Sequence, residues 1–332
     1  MFGHPTLLTH SCTASLEMAV MLSGVGPGDE VIVPSYTFSS TANAVALRGA
    51  VPVFVDVNST DLNISFESAS EAITEKTKAI IIVHYGGVPA IPDEFRALCD
   101  EKNLFLIEDA AQAIGVTYKG KPLGSWGDFG CISFHATKNI QCGEGGALII
   151  GNQGKAKDAE IIREKGTDRS SFLRGEIDRY TWRQIGSSYL PSDLVAAYLS
   201  AQLPDIDLVN SSRVRLWNFY LEMTREHLDS IGAKIVKSDS SGYSGNGHIF
   251  AIQFKDSDQK ETFSQHMRDS GIQALSHYTC LPSTPAGKDF GKAVGPQKNA
   301  EHAAQCLVRI PIHSLAFEHK EKIVQRILEF EK

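Results

Sequence analysis

No apolar run in this chain approaches the roughly 20 residues that cross a bilayer; the longest are of the Ala79-Ile-Ile-Ile-Val83 kind. Insertion into a membrane is therefore not expected. The six cysteines (Cys12, Cys99, Cys131, Cys142, Cys280 and Cys306) include no CxxC pair and no secretory segment precedes them, so they read as reduced thiols of a cytoplasmic protein. The eleven histidines show no HExxH spacing, which argues against a metal site. Lysine and arginine number 32 against 39 acidic residues, a formal charge of −7. Phosphate backbones are bound by clustered basic residues, which this chain spreads thinly, so a nucleic-acid binder is disfavoured.

Two nucleotide signatures are incomplete. Gly115-Val-Thr-Tyr-Lys-Gly120-Lys121 spells most of a P-loop, but Pro122 stands where a Mg²⁺-binding Ser or Thr belongs. Gly24-Val-Gly26-Pro-Gly28 fails GxGxxG because Asp29 takes the third glycine's place. Phosphotransfer and hydride transfer both lose support.

What is present is ordinary globular material, 42% hydrophobic and 21% charged over 332 residues, enough for one large domain and a smaller one. From Glu30 to Ile150, short β-branched runs (Val31–Val33, Val53–Val55, Ala79–Val83, Leu104–Ile107, Cys131–Phe134, Ala147–Ile150) alternate with helical patterns at Ala14–Leu22, Ser40–Arg48, Phe66–Ile73 and Pro92–Glu101. Apolar runs without strict alternation fit strands covered on both faces, so a largely parallel α/β sheet is expected. Longer helices follow at 156–165, 193–202 and 209–227. Beyond the polar Ser238-to-Gly247 stretch, strands are expected at 249–254 and 273–278, with helices at 261–268 and 319–329. Residues 1–205 are thus read as an α/β domain, 206–245 as a helical connector and 246–332 as a smaller α+β domain.

Asp109 closes the run Leu104-Phe-Leu-Ile-Glu108, at the carboxyl end of a strand where α/β sheets place ligands. Lys138 follows the strand ending at Phe134. An acid able to hold a pyridine nitrogen and a lysine able to form a Schiff base are the minimum equipment for pyridoxal phosphate chemistry. Taken singly, Asp109 equally fits a helix N-cap, Gln112 an exposed helix residue one turn on, and Lys138 a solvated cation. Ser11-Cys12-Thr13-Ala14 opens a helix whose free amides and hydroxyls suit a phosphate, or merely cap it, and Ser133 adds a hydroxyl from the neighbouring strand. Phe38 fits stacking on a planar ring or core packing. Gly143-Glu-Gly-Gly146 would let backbone pass close to Lys138, or make a turn. His135 and His277, with His313, are candidates for substrate contact or structural histidines.

Assembled, these residues resemble the DegT/DnrJ/EryC1/StrS family of nucleotide-sugar aminotransferases from Leu7 almost to the C-terminus. The likeness rests on Leu8-Thr-His-Ser-Cys-Thr-Ala-Ser-Leu-Glu17, Pro34-Ser-Tyr-Thr-Phe-Ser-Ser-Thr-Ala-Asn43, Ser133-Phe-His-Ala-Thr-Lys-Asn139, Ile161-Ile-Arg-Glu-Lys-Gly-Thr167 and Tyr180-Thr-Trp-Arg-Gln-Ile-Gly-Ser-Ser-Tyr-Leu190. The resemblance implies the fold type I architecture of PLP-dependent transferases, a mostly parallel seven-stranded sheet flanked by helices with a smaller C-terminal α+β domain. It also implies a homodimer with shared active sites.

In that scheme Lys138 carries the cofactor, pyridoxal 5'-phosphate, and moves the proton. Asp109 meets the pyridine nitrogen, Gln112 the ring hydroxyl side and Phe38 the ring face; Thr13, Ala14 and Ser133 hold the phosphate. Ser188 stands where many members carry an asparagine that reaches the neighbour's phosphate. His135, His277 and Tyr278 are placed toward substrate, with Pro282 replacing a histidine common in the family. The implied reaction takes the amino group of L-glutamate to the 4-keto carbon of dTDP-4-keto-6-deoxy-D-glucose, leaving 2-oxoglutarate. Another keto nucleotide sugar, or a silent binding protein on the same scaffold, are the competing readings. Relatives carry a further segment ahead of Leu7-Leu8, so Met1 reads as a truncated start.

Overall fold

The six β-branched runs and the Leu7-Leu8 segment become neighbouring strands. The computed structural model describes residues 1–237 and 241–331, so the first three residues of the polar Ser238-to-Gly247 stretch lie outside the described residues. The strands are β1 (Thr6–Thr9), β2 (Glu30–Pro34), β3 (Val51–Val55), β4 (Thr77–Val83), β5 (Phe105–Asp109), the small hairpin β6 (Thr117–Tyr118) and β7 (Lys121–Pro122), β8 (Phe129–Ser133), β9 (Gly146–Ile150), β10 (Lys234–Ile235), β11 (Phe250–Gln253), β12 (Lys292–Ala293) and β13 (Leu307–Ile310). The helices used below are α1 (Cys12–Leu22), α2 (Ser39–Ala46), α3 (Phe66–Glu71), α4 (Pro92–Lys102), α5 (Ala156–Arg163) and α6 (Arg169–Leu173), then α7 (Asp193–Gln202), α8 (Ile206–Ser230) and α9 (Ser257–Asp269).

The main sheet runs β1-β9-β8-β5-β4-β2-β3-β12. Every neighbouring pair in it is parallel except those of β9, which opposes both β1 and β8. Strands buried on both faces explain the unalternated apolar runs. Val31, Val33, Ala79, Ile81, Ile107, Cys131 and Leu148 face α1, α2 and α5. Ile32, Val53, Val55, Ile80, Ile82 and Leu106 face α3 and α4. Helix α1 is apolar nearly all round, as a core helix must be.

Seven strands were expected and the sheet has eight. The extra strand, β12, comes from the C-terminal region, pairs with Val53 and Phe54, and is tied down by Lys292 Nζ to Glu30 at 2.7 Å. Two residues carry no periodicity, so nothing in the sequence signals it.

The C-terminal region builds its own antiparallel sheet, β10-β11-β13. Phe250, Ile252, Val308 and Ile310 cover a core with Leu216, Tyr220, Phe263 and Met267 from α8 and α9. Ala251 and Leu307, on the other face, pack with Tyr36 and Tyr85 of the main sheet's loops. The strand expected at 273–278 does not form; only Leu275 pairs, with Arg309. Toward Gln273 the next hydrogen-bonded partner would be residue 311, and Pro311 has no N–H to give, so the ladder stops on that side. Among the described residues no helix is long and apolar enough to cross a membrane.

Candidate active site

The carboxyl ends of β2, β4, β5 and β8 converge, delivering Ser35 to Phe38, His84 to Gly86, Asp109 to Gln112 and Ser133 to one place. This is the edge where parallel sheets leave a crevice. Asp109 is 5% exposed. One carboxylate oxygen accepts from the Thr41 hydroxyl at 2.9 Å and the other from the Ala111 amide at 3.2 Å. No helix follows Asp109; residues 110–114 form turns, so Gln112 is not positioned by helical spacing. Its amide is fixed instead by two partners, with Oε1 accepting from Gly86 N–H at 2.6 Å and Nε2 donating to the Tyr278 hydroxyl at 2.7 Å.

Lys138 lies in a turn after β8, its N–H donating to His135 O at 2.9 Å. Its neighbour Asn139 anchors that turn, donating to Asn210 Oδ1 and Asn246 O, each at 2.8 Å, and meeting His248 Nδ1 at 2.9 Å. The Lys138 amine makes no hydrogen bond or ion pair among the described residues. Loss of water lowers its pKa, and the same loss raises that of Asp109, each effect partly offset by the other's opposite charge. Asp109 ends β5 opposite Cys131 of β8, and Lys138 lies in the turn that follows β8, so both groups stand at the same edge of the sheet. Cys12 lies in the same field, its thiol held neutral by burial first and by Asp109 second.

The start of α1 forms the other end of the site. Ser11 caps it, its hydroxyl accepting from Ala14 N–H at 3.1 Å. The amides of Cys12 and Thr13 have no acceptor among the described residues, and the first turn carries no acidic residue. An outside anion is what such a terminus lacks. The Thr13 hydroxyl meets Ser40 Oγ at 2.7 Å, and Ser133 Oγ accepts from His135 N–H at 3.3 Å. Ala14, expected among the phosphate donors, has its amide engaged by Ser11 Oγ, whereas the Cys12 amide has no acceptor among the described residues.

Within Gly143-Glu-Gly-Gly146, Gly143 O accepts from Ala136 N–H at 2.8 Å, two residues before Lys138, while Gly146 lies against the start of α1. A Cβ on Gly146 would overlap the Ser11 carbonyl and the Cys12 amide. Gly146→Ala is expected to cost about 1–3 kcal/mol and to weaken anion binding at α1, checked by denaturant unfolding and by calorimetry with inorganic phosphate.

Aromatic rings wall the crevice. Phe38, 58% exposed, leans on Tyr278 at 6.1 Å between centroids, and Tyr278 stacks on His277 at 3.7 Å. His277 Nδ1 meets the Tyr85 hydroxyl at 2.7 Å. Burial, then the charges of Arg309 and Lys138, lower the His277 pKa to about 2, so its ring is a neutral acceptor throughout the physiological range.

Behind Asp109 lies a buried pair absent from the sequence reading. Glu108 and His84 are both fully buried and 2.9 Å apart. His84 Nδ1 accepts from Ala90 N–H, so Nε2 carries the hydrogen and donates to Glu108. The remaining Glu108 acceptor sites take the amides of Gly124, Trp126 and Gly127 at 2.6–2.8 Å. Glu108→Ala strands four buried donors at once. A loss of about 3–5 kcal/mol is expected in denaturant unfolding.

Two expected site residues have neighbours of their own within this chain. His135 Nδ1 meets Thr137 Oγ1 at 2.9 Å and its Nε2 lies 3.5 Å from Glu144, while Ser188 is exposed and bridges to Glu164. Thr41, Tyr85 and Arg309 were missed; Thr41 was visible in the Pro34-to-Asn43 block as a hydroxyl one turn after Phe38.

Among the described residues, the amides at α1 and the Lys138 amine without partners, with the buried acid between them in the chain, suit the phosphate, aldehyde and pyridine nitrogen of pyridoxal phosphate. Fold and site together define a PLP-dependent aminotransferase. The uncharacterised protein MJ1066 of Methanocaldococcus jannaschii is 32% identical over 311 residues, 92% of this chain and 80% of that protein. Among solved structures, the aminotransferase TlmJ from Streptoalloteichus hindustanus superposes with a TM-score of 0.88 at 27% identity, covering 97% of this chain and 84% of its own. S. venezuelae DesV, solved with a ketimine intermediate, gives 0.87 at 28%, covering 98% and 84%. The chain belongs to the DegT/DnrJ/EryC1/StrS aminotransferase family, whose profile matches residues 4–328.

Proposed function

We propose that the protein transfers the amino group of L-glutamate to the 4-keto carbon of dTDP-4-keto-6-deoxy-D-glucose, acting as a dTDP-4-amino-4,6-dideoxy-D-galactose transaminase. The observation that carries the chemistry is the placement of Asp109 at the end of β5 and of Lys138 in the turn after the neighbouring β8, both at the carboxyl edge of the sheet. Pyridoxal phosphate, when bound, supplies an electron sink and a carrier for the amino group.

The chain's residues do the rest. Thr13 and the amides opening α1 hold the phosphate with Ser133, and Phe38 lies against the ring. Asp109, kept in place by Thr41 and Ala111, keeps the pyridine nitrogen protonated. Gln112, pinned by Gly86 and Tyr278, serves the ring hydroxyl. Lys138, whose amine pKa is lowered by desolvation, takes the proton from the donor α-carbon and returns it across the site. His277 and Tyr278 face the sugar as neutral hydrogen-bonding groups, and His135 borders the entrance.

We read the working unit as a homodimer, with Ser188 directed at the neighbour's phosphate. In support, Trp182, Ile185, Leu194 and Leu208 are 65–84% exposed, along one stretch that starts just before Ser188. Single exposed apolar residues are commonplace, and four within one stretch are material from which an interface could be built. Sedimentation of the PLP-loaded protein at micromolar concentration should give twice the chain mass; a monomer there removes this part of the reading.

The deciding experiment incubates the protein with PLP, L-glutamate and the dTDP-keto sugar and locates nitrogen in the product by NMR. Nitrogen on C4 is expected. An amine on C3, or no amino sugar from this acceptor while another keto nucleotide sugar is consumed, replaces the substrate assignment.

A further inference from the structure

Basic residues that the sequence spreads thinly are gathered at one groove outside the active-site crevice. It runs where the small sheet, α8 and the helix Lys298–Cys306 meet the loop between β3 and α3, and it encloses about 470 Å³. Arg225 of α8, Lys234 of β10, Lys237 and Lys255 line it, and among the described residues Asp229 is the one acid that does. In a chain whose 39 acidic residues outnumber its 32 basic ones, this is a local reversal of sign.

Neighbouring carboxylates do little to cancel that charge. Among the described residues Arg225 reaches only Asp229, at 3.8 Å, Lys255 only its chain neighbour Asp256, at 3.6 Å, and Lys234 no carboxylate at all. Solvent-exposed pairs of such length contribute little.

The floor of the groove supplies a second, independent observation. Gln253 lies opposite Lys234 in the register, on the sheet face that carries Ala251 and not on the face of Ile252. It is 8% exposed and lines the groove, and its side-chain amide makes no hydrogen bond among the described residues. A buried amide without a partner is costly, so an acceptor entering the groove recovers free energy there. On the facing wall Ser59 and Thr60 add hydroxyls, and Lys237 N–H donating to Thr60 O at 3.1 Å ties that wall to the small sheet. Leu221, Ile235 and Val236 give the groove an apolar side.

Ammonium, guanidinium and amide N–H groups around one space are donors without matching acceptors, which is the complement of phosphate oxygens. The volume is that of a small-molecule site. We infer that this groove is a second anion site of the protein, taking a polyphosphate group, either free or carried by a nucleotide. The site stands apart from the transaminase reading, in which the start of α1 serves the cofactor phosphate and none of these residues has a part.

Calorimetry on the PLP-loaded protein, with the α1 site filled by cofactor, tests it using pyrophosphate and Mg²⁺-free ATP as probes. Both should bind, and both should raise the melting temperature, because the ligand joins the small sheet to a loop of the main one. In the Lys234→Glu/Lys255→Glu protein, whose replaced side chains are exposed, both affinities should fall roughly 10- to 100-fold. ATP binding more tightly than pyrophosphate assigns the group to a nucleotide that also uses the apolar side; equal affinities assign it to the free anion.

No binding of either probe to the parent at about 1 mM overturns the inference. Binding that is unchanged in the folded double variant overturns it too, since the probe then sits elsewhere. Should the double variant fail to fold, Gln253→Leu decides: it keeps every charge and removes the amide, and both affinities should still fall about 5- to 10-fold.

Discussion

Lys138→Ala is expected to keep its fold and lose about 10⁴-fold or more in turnover, measured as 2-oxoglutarate released from L-glutamate in the presence of the keto sugar. The side chain has no hydrogen bond or ion pair among the described residues, so its removal strands no partner. Its desolvation is a cost to the fold, and the melting temperature of the cofactor-free variant should not fall. Proton transfer by a positioned group accounts for up to about 10⁴ in rate, and loss of the covalent hold on the cofactor adds to it. Borohydride reduction followed by peptide mapping gives an independent check, with the label on the peptide containing residue 138 in the parent and none in the variant. Turnover within tenfold of the parent would remove the basis of the assignment.

Asp109→Asn should show opposite effects on stability and activity. Burial raises the carboxyl pKa of Asp109 in the folded chain above its unfolded value. Such a group contributes stability below the unfolded pKa and loses it as pH rises through the folded value. At neutral pH the cofactor-free protein therefore bears the cost of burying an acid that ionises freely in the unfolded chain, a cost that the hydrogen bonds from Thr41 and Ala111 and the charge of Lys138 only partly offset. Replacement by asparagine should raise the melting temperature of the cofactor-free protein at pH 7.5, the gain shrinking as pH falls into the ordinary carboxylate range. Activity should fall about 10²- to 10³-fold, the cost of removing one preorganised electrostatic partner of the reacting system. A variant that is less stable at pH 7.5 yet fully active would contradict both halves of the argument.

The parallel sheet was legible because its strands are buried on both faces, and burial writes itself into sequence as unbroken apolar runs. Asp109 and Lys138 were legible for a related reason, being charged residues at the ends of such runs. The turn after Asp109 was not, since Asp-Ala-Ala-Gln suits a helix start as well as it suits the Ala111 amide folding back on the carboxylate. Nor was the strand β12, too short for any period, or the failure of residues 273–278 to pair, to which Pro311 contributes only at the Gln273 end. The Glu108–His84 pair joins residues 24 apart in the chain. Arg309 was hidden because a lone arginine in a strand reads as a solvent-facing residue until the opposite face is known.

The strand β12 bears on how the molecule comes apart. It covers the β3 edge, so a protease that cuts between residues 270 and 291 does not release a tidy N-terminal half. It uncovers a row of unsatisfied backbone donors and acceptors flanked by Val53 and Phe54, the kind of template on which other chains add strands. Fragments ending before residue 292 should accordingly precipitate when expressed alone, and limited digestion of the whole protein should yield aggregate rather than two soluble pieces.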